Sequence, residues 1–121
     1  MYYFIVNPSS SSGKGMKIWQ TAEHFLRTEH VPYHVFFTNR RSQGEELARM
    51  ISTRHAPCTI IAVGGDGTVN EVISGLTNYN KIRFGYIPSG SGNDLAAGLN
   101  LKNNPTDVLQ MILHPKKILP V

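Results

Sequence analysis

Four apolar runs of strand length, alternating with amphipathic segments, constrain the fold of this chain most strongly. All four runs are rich in β-branched and aromatic residues, which favour strands. Three are near-continuous rather than alternating in polarity, which is typical of strands covered on both faces. We therefore predict strands at residues 2–6, 33–38, 59–63 and 83–87.

The segments between and after these runs carry apolar residues at helical spacing, which predicts helices at 16–29, 44–54, 69–76 and 105–113. Strand–helix alternation with a repeat of about 30 residues predicts right-handed βαβ units. The expected fold class is α/β, a three-layer α/β/α sandwich with a mainly parallel sheet. We expect one domain over residues 1–121.

Three of the four predicted strands end in loops of small, turn-forming residues, at 7–15, 64–68 and 88–94. In a parallel sheet these loops share one edge, the edge where ligands bind. Glycines let the backbone approach a ligand, and N–H groups at helix starts attract anions. A single such loop reads as a tight turn, but three together favour phosphate binding.

Two helix starts carry capping patterns. Thr68-x-x-Glu71 predicts a capping box, and Ser91-x-x-Asp94 predicts a weaker one. The common nucleotide motifs are absent, since neither GxxxxGK[ST] nor GxGxxG occurs. A P-loop NTPase and a simple dinucleotide dehydrogenase are therefore both disfavoured.

The charge of Asp66 indicates a function, because a carboxylate within an anion-binding loop is electrostatically unfavourable on its own. A carboxylate at this position is explained if it helps hold Mg²⁺ beside a phosphate, or if it takes a proton from an attacking hydroxyl. The alternative is a local Asp-Gly turn. The cations placed to reach phosphates are Lys14 and the pair Arg40-Arg41. These cations could equally belong to a solvated, charged loop. Thr38 and Asn39, at the end of the second predicted strand, could contact a nucleotide.

Composition sets broader limits. With 40% apolar and 17% charged residues the chain is globular, and its net charge of +4 suits an anionic ligand but is too small to indicate nucleic-acid binding. The single cysteine, Cys58, excludes an internal disulfide, and the five histidines show no metal-ligand spacing. No apolar stretch reaches the ~20 residues of a membrane span, so we expect a cytoplasmic protein.

The motif set as a whole resembles the diacylglycerol kinase catalytic-domain family, which includes bacterial lipid kinases and sphingosine kinases. The matching segments are Asn7-Pro8, Gly13-Lys14-Gly15, GGDGTVNEVISGL at 64–76 and PSGSGNDLA at 88–96. GGDG alone would be weak, because NAD kinases and some phosphofructokinases share it. The resemblance spans nearly the whole chain, in order.

The resemblance implies a phosphofructokinase- or NAD kinase-like domain that binds ATP with Mg²⁺ for phosphoryl transfer to a lipid hydroxyl. Asp66 matches an aspartate with a catalytic or Mg²⁺-organising role. The implied nucleotide-binding residues are Asn7, Pro8, Ser9, Ser10, Ser11, Ser12, Gly13, Lys14, Thr38, Gly64, Gly65, Asp66, Gly67, Thr68, Val69, Asn70, Glu71 and Ser91.

Family members continue into a β-rich domain that supplies lipid-site residues, whereas this chain stops at Val121. We expect detectable nucleotide affinity from this domain but weak or absent kinase activity. The alternatives are an NAD kinase-like phosphotransferase, or a nucleotide-binding fragment without turnover. Expected partners are a nucleotide and, for the full-length enzyme, a lipid and the inner membrane face; a homo-oligomer is possible from exposed apolar surface.

Overall fold

Four strands alternate with four helices in the computed structural model, which describes residues 1–90 and 105–113. Each predicted strand is confirmed to within one residue at either end. The elements are β1 (Tyr2–Val6), α1 (Ser10–Thr28), β2 (Tyr33–Phe37), α2 (Gln43–Arg54), β3 (Cys58–Gly64), α3 (Asp66–Gly75), a 3-10 turn (Tyr79–Lys81), β4 (Ile82–Pro88) and α4 (Pro105–Leu113).

The strands form one sheet in the order β2-β1-β3-β4, and every pair is parallel. The register places Val6, at the end of β1, beside Phe37 on one side and Val63 on the other. The chain leaves β1 toward β2 but later crosses back to β3. The strand order therefore reverses between β1 and β3, and such a switch point opens a crevice at the carboxyl ends of the strands.

Helices cover both faces of the sheet, so the predicted three-layer α/β/α sandwich is confirmed. One core joins sheet residues to α2 and α3 and includes Ile5, Ile60, Ala48, Ile51 and Val72. The opposite core joins the sheet to α1 and α4 and includes Phe4, Val63, Trp19, Leu26 and Leu109. β3 is buried along its whole length, as its continuous apolar run predicts.

Helix α3 starts earlier than predicted, and the capping box at Thr68 is wrong. Gly65 is the N-cap, with φ −94° and ψ −167°, and no side chain caps it. Thr68 lies one turn inside the helix and packs against Gly64. A Cβ added at Gly64 would overlap the Thr68 side chain. Glu71 does not fold back onto its own helix; it reaches the start of α2 instead.

Helix α1 begins at Ser10 rather than at Met16, but its first turn is irregular. Ser11, Ser12 and Gly13 have positive φ angles of 53°, 60° and 93°. Positive φ is unfavourable for residues other than glycine, so Ser11 and Ser12 hold a backbone shape that their own propensity does not favour. Gly15 lets the following turn of α1 approach the backbone of Asn7, because a Cβ at position 15 would overlap the Asn7 carbonyl.

Several predicted features lie outside the described residues. These are Ser91 with its weaker capping pattern, the rest of the loop after β4 from residue 91 onward, and the last residues 114–121. Within the described ranges, no helix has both the length and the hydrophobicity that crossing a bilayer requires.

Candidate functional site

A cleft of about 400 Å³ opens over the carboxyl ends of β1, β2 and β3, at the switch point of the sheet. Its walls come from three loops and from the first turns of α1 and α3. The lining residues are Asn7, Ser9, Ser10, Thr38, Asn39, Arg40, Arg41, Gly65, Gly67, Thr68 and Glu71.

The loop after β1 is fixed to the sheet and to itself by hydrogen bonds of Asn7. The Asn7 N–H donates to the carbonyl of Val63 over 2.9 Å, so the loop leaves β1 alongside β3. The Asn7 Oδ1 accepts from the N–H of Ser9 at 3.1 Å, and its carbonyl accepts from the Ser10 hydroxyl at 2.8 Å. Asparagine is favoured in turns for this ability to bond to nearby backbone groups.

Ser89, just after β4, ties the other two loops together. Its hydroxyl shares hydrogen bonds with the hydroxyls of Ser10 (2.8 Å) and Ser11 (3.1 Å). Its N–H donates to the carbonyl of Gly64 over 2.9 Å, and the residue is 4% exposed. The loops that follow β1, β3 and β4 therefore meet as one unit, as their strand order predicts. The site prediction did not single out Ser89, although this residue lies in the predicted loop at 88–94 and in the motif at 88–96.

The first turn of α3 faces the cleft with Gly65, Gly67 and Thr68. The first helical hydrogen bond in the turn is from Val69 N–H to Gly65 carbonyl, at 3.1 Å. The N–H groups before Val69 have no acceptor within the helix, so they carry the positive end of the helix dipole. A Cβ built at Gly65 or at Gly67 meets no atom within 4 Å.

The loop after β2 supplies the cationic wall of the cleft. Thr38 is buried, and its N–H donates to the Val6 carbonyl over 2.8 Å. Arg40 is committed elsewhere, because its guanidinium donates to both carboxylate oxygens of Glu46 at 2.7 and 3.0 Å. That contact lowers the pKa of Glu46 and raises the pKa of Arg40. Arg41 makes no hydrogen bond or ion pair within residues 1–90 and 105–113.

Glu71 lines the cleft, but its carboxylate is already engaged. Its Oε2 accepts from the N–H of Ser42 at 2.9 Å, and its Oε1 accepts from the N–H of Gly44 at 3.1 Å. We refer to these two hydrogen bonds as the Glu71 bridge. They join α3 to the start of α2.

Asp66 lies exposed in the first turn of α3 and is not among the residues that line the cleft. On β4, the hydroxyl of Tyr86 donates to the Gly64 carbonyl over 3.0 Å. Burial raises the pKa of Tyr86, and the negative charge of Asp66 raises it further.

This electrostatic effect gives a test of how near the Asp66 carboxylate lies to Tyr86. Asp66→Asn is expected to lower the pKa of Tyr86, because the neutral amide no longer opposes a phenolate; the value stays above that of a free tyrosine because burial persists. Ultraviolet absorbance titration measures this, with the Tyr86→Phe variant subtracted to isolate the phenol from the other tyrosines. An unchanged Tyr86 titration would place the carboxylate elsewhere.

The structure thus brings part of the predicted set into the cleft and leaves part outside it. Asn7, Ser9, Ser10, Thr38, Gly65, Gly67, Thr68 and Glu71 line it. Ser11 and Gly64 support the loops through Ser89. The predicted residues that do not line the cleft are Pro8, Ser11, Ser12, Gly13, Lys14, Gly64, Asp66, Val69 and Asn70.

Metal-binding groups are sparse in the part of the chain that the structure describes. There, no three His, Cys, Asp or Glu side chains come close enough to hold a metal ion together. Mg²⁺ in kinase sites is usually held by one or two carboxylates and by the phosphates of the nucleotide, so a protein cage is not required.

Comparison with known proteins identifies relatives over nearly the whole chain. The family model described as "Diacylglycerol kinase catalytic domain" matches residues 1–118. The Bacillus subtilis (strain 168) protein YtlR, a candidate lipid kinase, is 32% identical over 118 residues, which cover 96% of this chain and 38% of YtlR. A diacylglycerol kinase of Staphylococcus aureus (strain JH9) is 29% identical over 118 residues, covering 94% of this chain and 37% of that enzyme.

A solved structure shares the fold. A candidate diacylglycerol kinase from Bacillus anthracis str. Sterne superposes with a TM-score of 0.72 at 23% identity, over 94% of this chain and 41% of that one. The chain therefore spans well under half the length of the relatives it matches. The family match over residues 1–118, together with the identity to YtlR, shows that this chain belongs to the diacylglycerol kinase catalytic-domain family.

Proposed function

We propose that the cleft binds the triphosphate of ATP and that the chain is the nucleotide-binding part of a lipid kinase. One observation carries this proposal: Gly65 and Gly67 line the cleft at the start of α3, where added side-chain atoms would meet nothing. Their lack of a side chain keeps room for a ligand at the backbone.

Several other glycines in the described part of the chain are explained by packing within the protein. A Cβ at Gly75 would overlap the backbone of Glu45, and one at Gly64 would overlap Thr68. Neither explanation applies to Gly65 or Gly67, and neither has a positive φ. Glycine within a helix is unfavourable by up to about 1 kcal/mol relative to alanine, so Gly67 is best explained by the ligand rather than by the fold.

The electrostatics of the cleft suit a polyanion. The first-turn N–H groups of α3 present partial positive charge, Arg41 adds a full charge, and the hydroxyl of Ser9 can donate to a phosphate oxygen. The carboxylate of Glu71 already accepts two N–H groups, so its charge is partly offset. Backbone N–H groups placed in this way can stabilise charge on a transferring phosphoryl group without rearranging.

In this proposal ATP supplies the transferred phosphoryl group and Mg²⁺ neutralises charge on its phosphates. Asp66 is the carboxylate nearest to the start of α3, and we assign it the catalytic or Mg²⁺-organising role, through phosphate or water. It is exposed and lies between Gly65 and Gly67, which both line the cleft. The phosphoryl acceptor is a lipid hydroxyl, by analogy with the diacylglycerol kinase and sphingoid base kinase relatives.

Gly67→Ala tests the proposal because it should change stability and binding in opposite directions. The added methyl meets no protein atom, so the reduced freedom of the unfolded chain is expected to stabilise the fold by about 0.4–1 kcal/mol. The same methyl occupies the place of a phosphate, so Mg-ATP affinity should fall. Urea denaturation and calorimetric titration measure the two quantities. A more stable variant with undiminished affinity would contradict the proposal.

A coupled assay addresses the phosphoryl acceptor. It supplies Mg-ATP with either diacylglycerol in mixed micelles or NAD, and it is run alongside the binding titration. Any turnover by the wild-type chain is expected with diacylglycerol and not with NAD. Turnover with NAD and none with diacylglycerol would favour an NAD kinase-like protein.

A further inference from the structure

The Glu71 bridge caps one helix with a side chain from another. Ser42 is the N-cap of α2 and Gly44 lies in its first turn, so both N–H groups lack acceptors within α2. The Ser42 side chain does not cap α2 itself. The Glu71 carboxylate, from α3, accepts both N–H groups and places a negative charge at the positive end of the α2 dipole.

The bridge holds a backbone shape that would otherwise be unfavourable. Ser42 has φ 72° and ψ −5°, in the left-handed region, where a serine is disfavoured. The hydrogen bond from its N–H to Glu71 compensates for that conformation. Arg41, which lines the cleft, directly precedes Ser42, so a fixed Ser42 conformation limits how the chain at Arg41 is oriented.

Space for the bridge is provided by a glycine. A Cβ at Gly44 would lie 3.0 Å from Oε1 of Glu71 and 3.2 Å from its Cβ. A side chain at position 44 would therefore press on Glu71, which would have to move by a few tenths of an ångström.

We infer that Glu71 is a positioning residue for Arg41, and that it acts through the Ser42 turn rather than by touching the ligand. An ionised carboxylate can only accept hydrogen bonds, so it cannot donate to a phosphate, and each of its oxygens already accepts one N–H. Arg40 also lines the cleft, but its guanidinium is paired with Glu46, whereas Arg41 has no such partner in the described part of the chain. This inference rests on the proposed binding of ATP in the cleft.

The test is a double-mutant cycle on Mg-ATP affinity, using Glu71→Gln, Arg41→Ala and the two combined. Each single substitution is expected to weaken binding by about tenfold, a typical size for coupled neighbours. The double variant should bind no more weakly than Arg41→Ala, because Glu71 acts through the arginine. Multiplication of the two losses, to about a hundredfold, would show that Glu71 acts independently of Arg41 and would overturn the inference.

A matched control and a second measurement separate this role from general stability. Glu45→Gln neutralises a carboxylate of α2 that pairs with Arg49 at 2.8 Å, away from the cleft lining, and should leave affinity unchanged. Without nucleotide, amide hydrogen exchange in Glu71→Gln should accelerate at Ser42 and Gly44 while β3 stays protected. Unchanged exchange at those two amides would overturn the inference.

The two measurements also distinguish this inference from the proposed function. If the wild-type chain bound no Mg-ATP, the proposed function would fail and the link from Arg41 to the ligand would fail with it. Accelerated exchange at Ser42 and Gly44 would still show that Glu71 fixes the turn. Binding by the wild type with additive losses would instead retain the function and refute the positioning role.

Discussion

Gly65→Val is expected to reduce Mg-ATP affinity by about a hundredfold or more, equivalent to about 2.7 kcal/mol, while leaving the fold intact. The extended backbone of Gly65, with φ −94° and ψ −167°, suits a β-branched residue. A Cβ there meets no protein atom within 4 Å, so the side chain extends into the cleft and displaces the phosphates. Calorimetric titration measures the affinity, and thermal unfolding checks the fold.

Ser74→Val is the matched control for this experiment. It adds the same side chain to the exposed surface of α3, away from the cleft lining. Its affinity should equal that of the wild type. If Gly65→Val bound Mg-ATP normally with an unchanged unfolding temperature, the start of α3 would not be where the phosphates lie.

Gly75→Val, in contrast to Gly65→Val, is expected to act on stability and to destabilise the fold by about 3 kcal/mol or more. A Cβ at Gly75 would overlap the carbonyl oxygen of Glu45, which belongs to the backbone of α2 and cannot rotate away. The two helices must separate to admit it. Urea denaturation measures the loss, and the neighbouring Ser74→Val should differ from the wild type by less than about 1 kcal/mol.

Separation of α2 and α3 has a further measurable result. The Glu71 bridge spans the same two helices, so the folded fraction of Gly75→Val should show faster amide exchange at Ser42 and Gly44. Stability close to that of the wild type would show that the helices can move apart without loss, and that their close approach is not required by the fold.

The general architecture could be predicted because it depends on regular periodicity. Apolar runs such as residues 59–63 have one way to be buried on both faces, between two layers of helices. The meeting of loops at one edge follows from the parallel order of the strands. Neither inference needs the position of any individual side chain.

The details of the site could not be predicted because they depend on pairing between distant elements. Thr68-x-x-Glu71 has the pattern of a capping box, and nothing in that pattern reveals that α2 lies within reach of Glu71. The close approach at Gly44 and Gly75 decides the outcome. Likewise Ser11 has a positive φ angle, and its hydroxyl bonds to Ser89, which lies in another loop.

That serine contact has a consequence for the thermodynamics of the chain. Ser10 and Ser89 are 79 positions apart, so the contact that supports Ser10 in the cleft wall forms only after β4 has joined the sheet. A partly folded chain in which β4 has not joined the sheet would have an incomplete binding site. Only the native state would then bind the ligand. Saturation at a hundred times the dissociation constant would then raise the global unfolding free energy by about 2.7 kcal/mol. Heat tolerance would thus rise with nucleotide concentration.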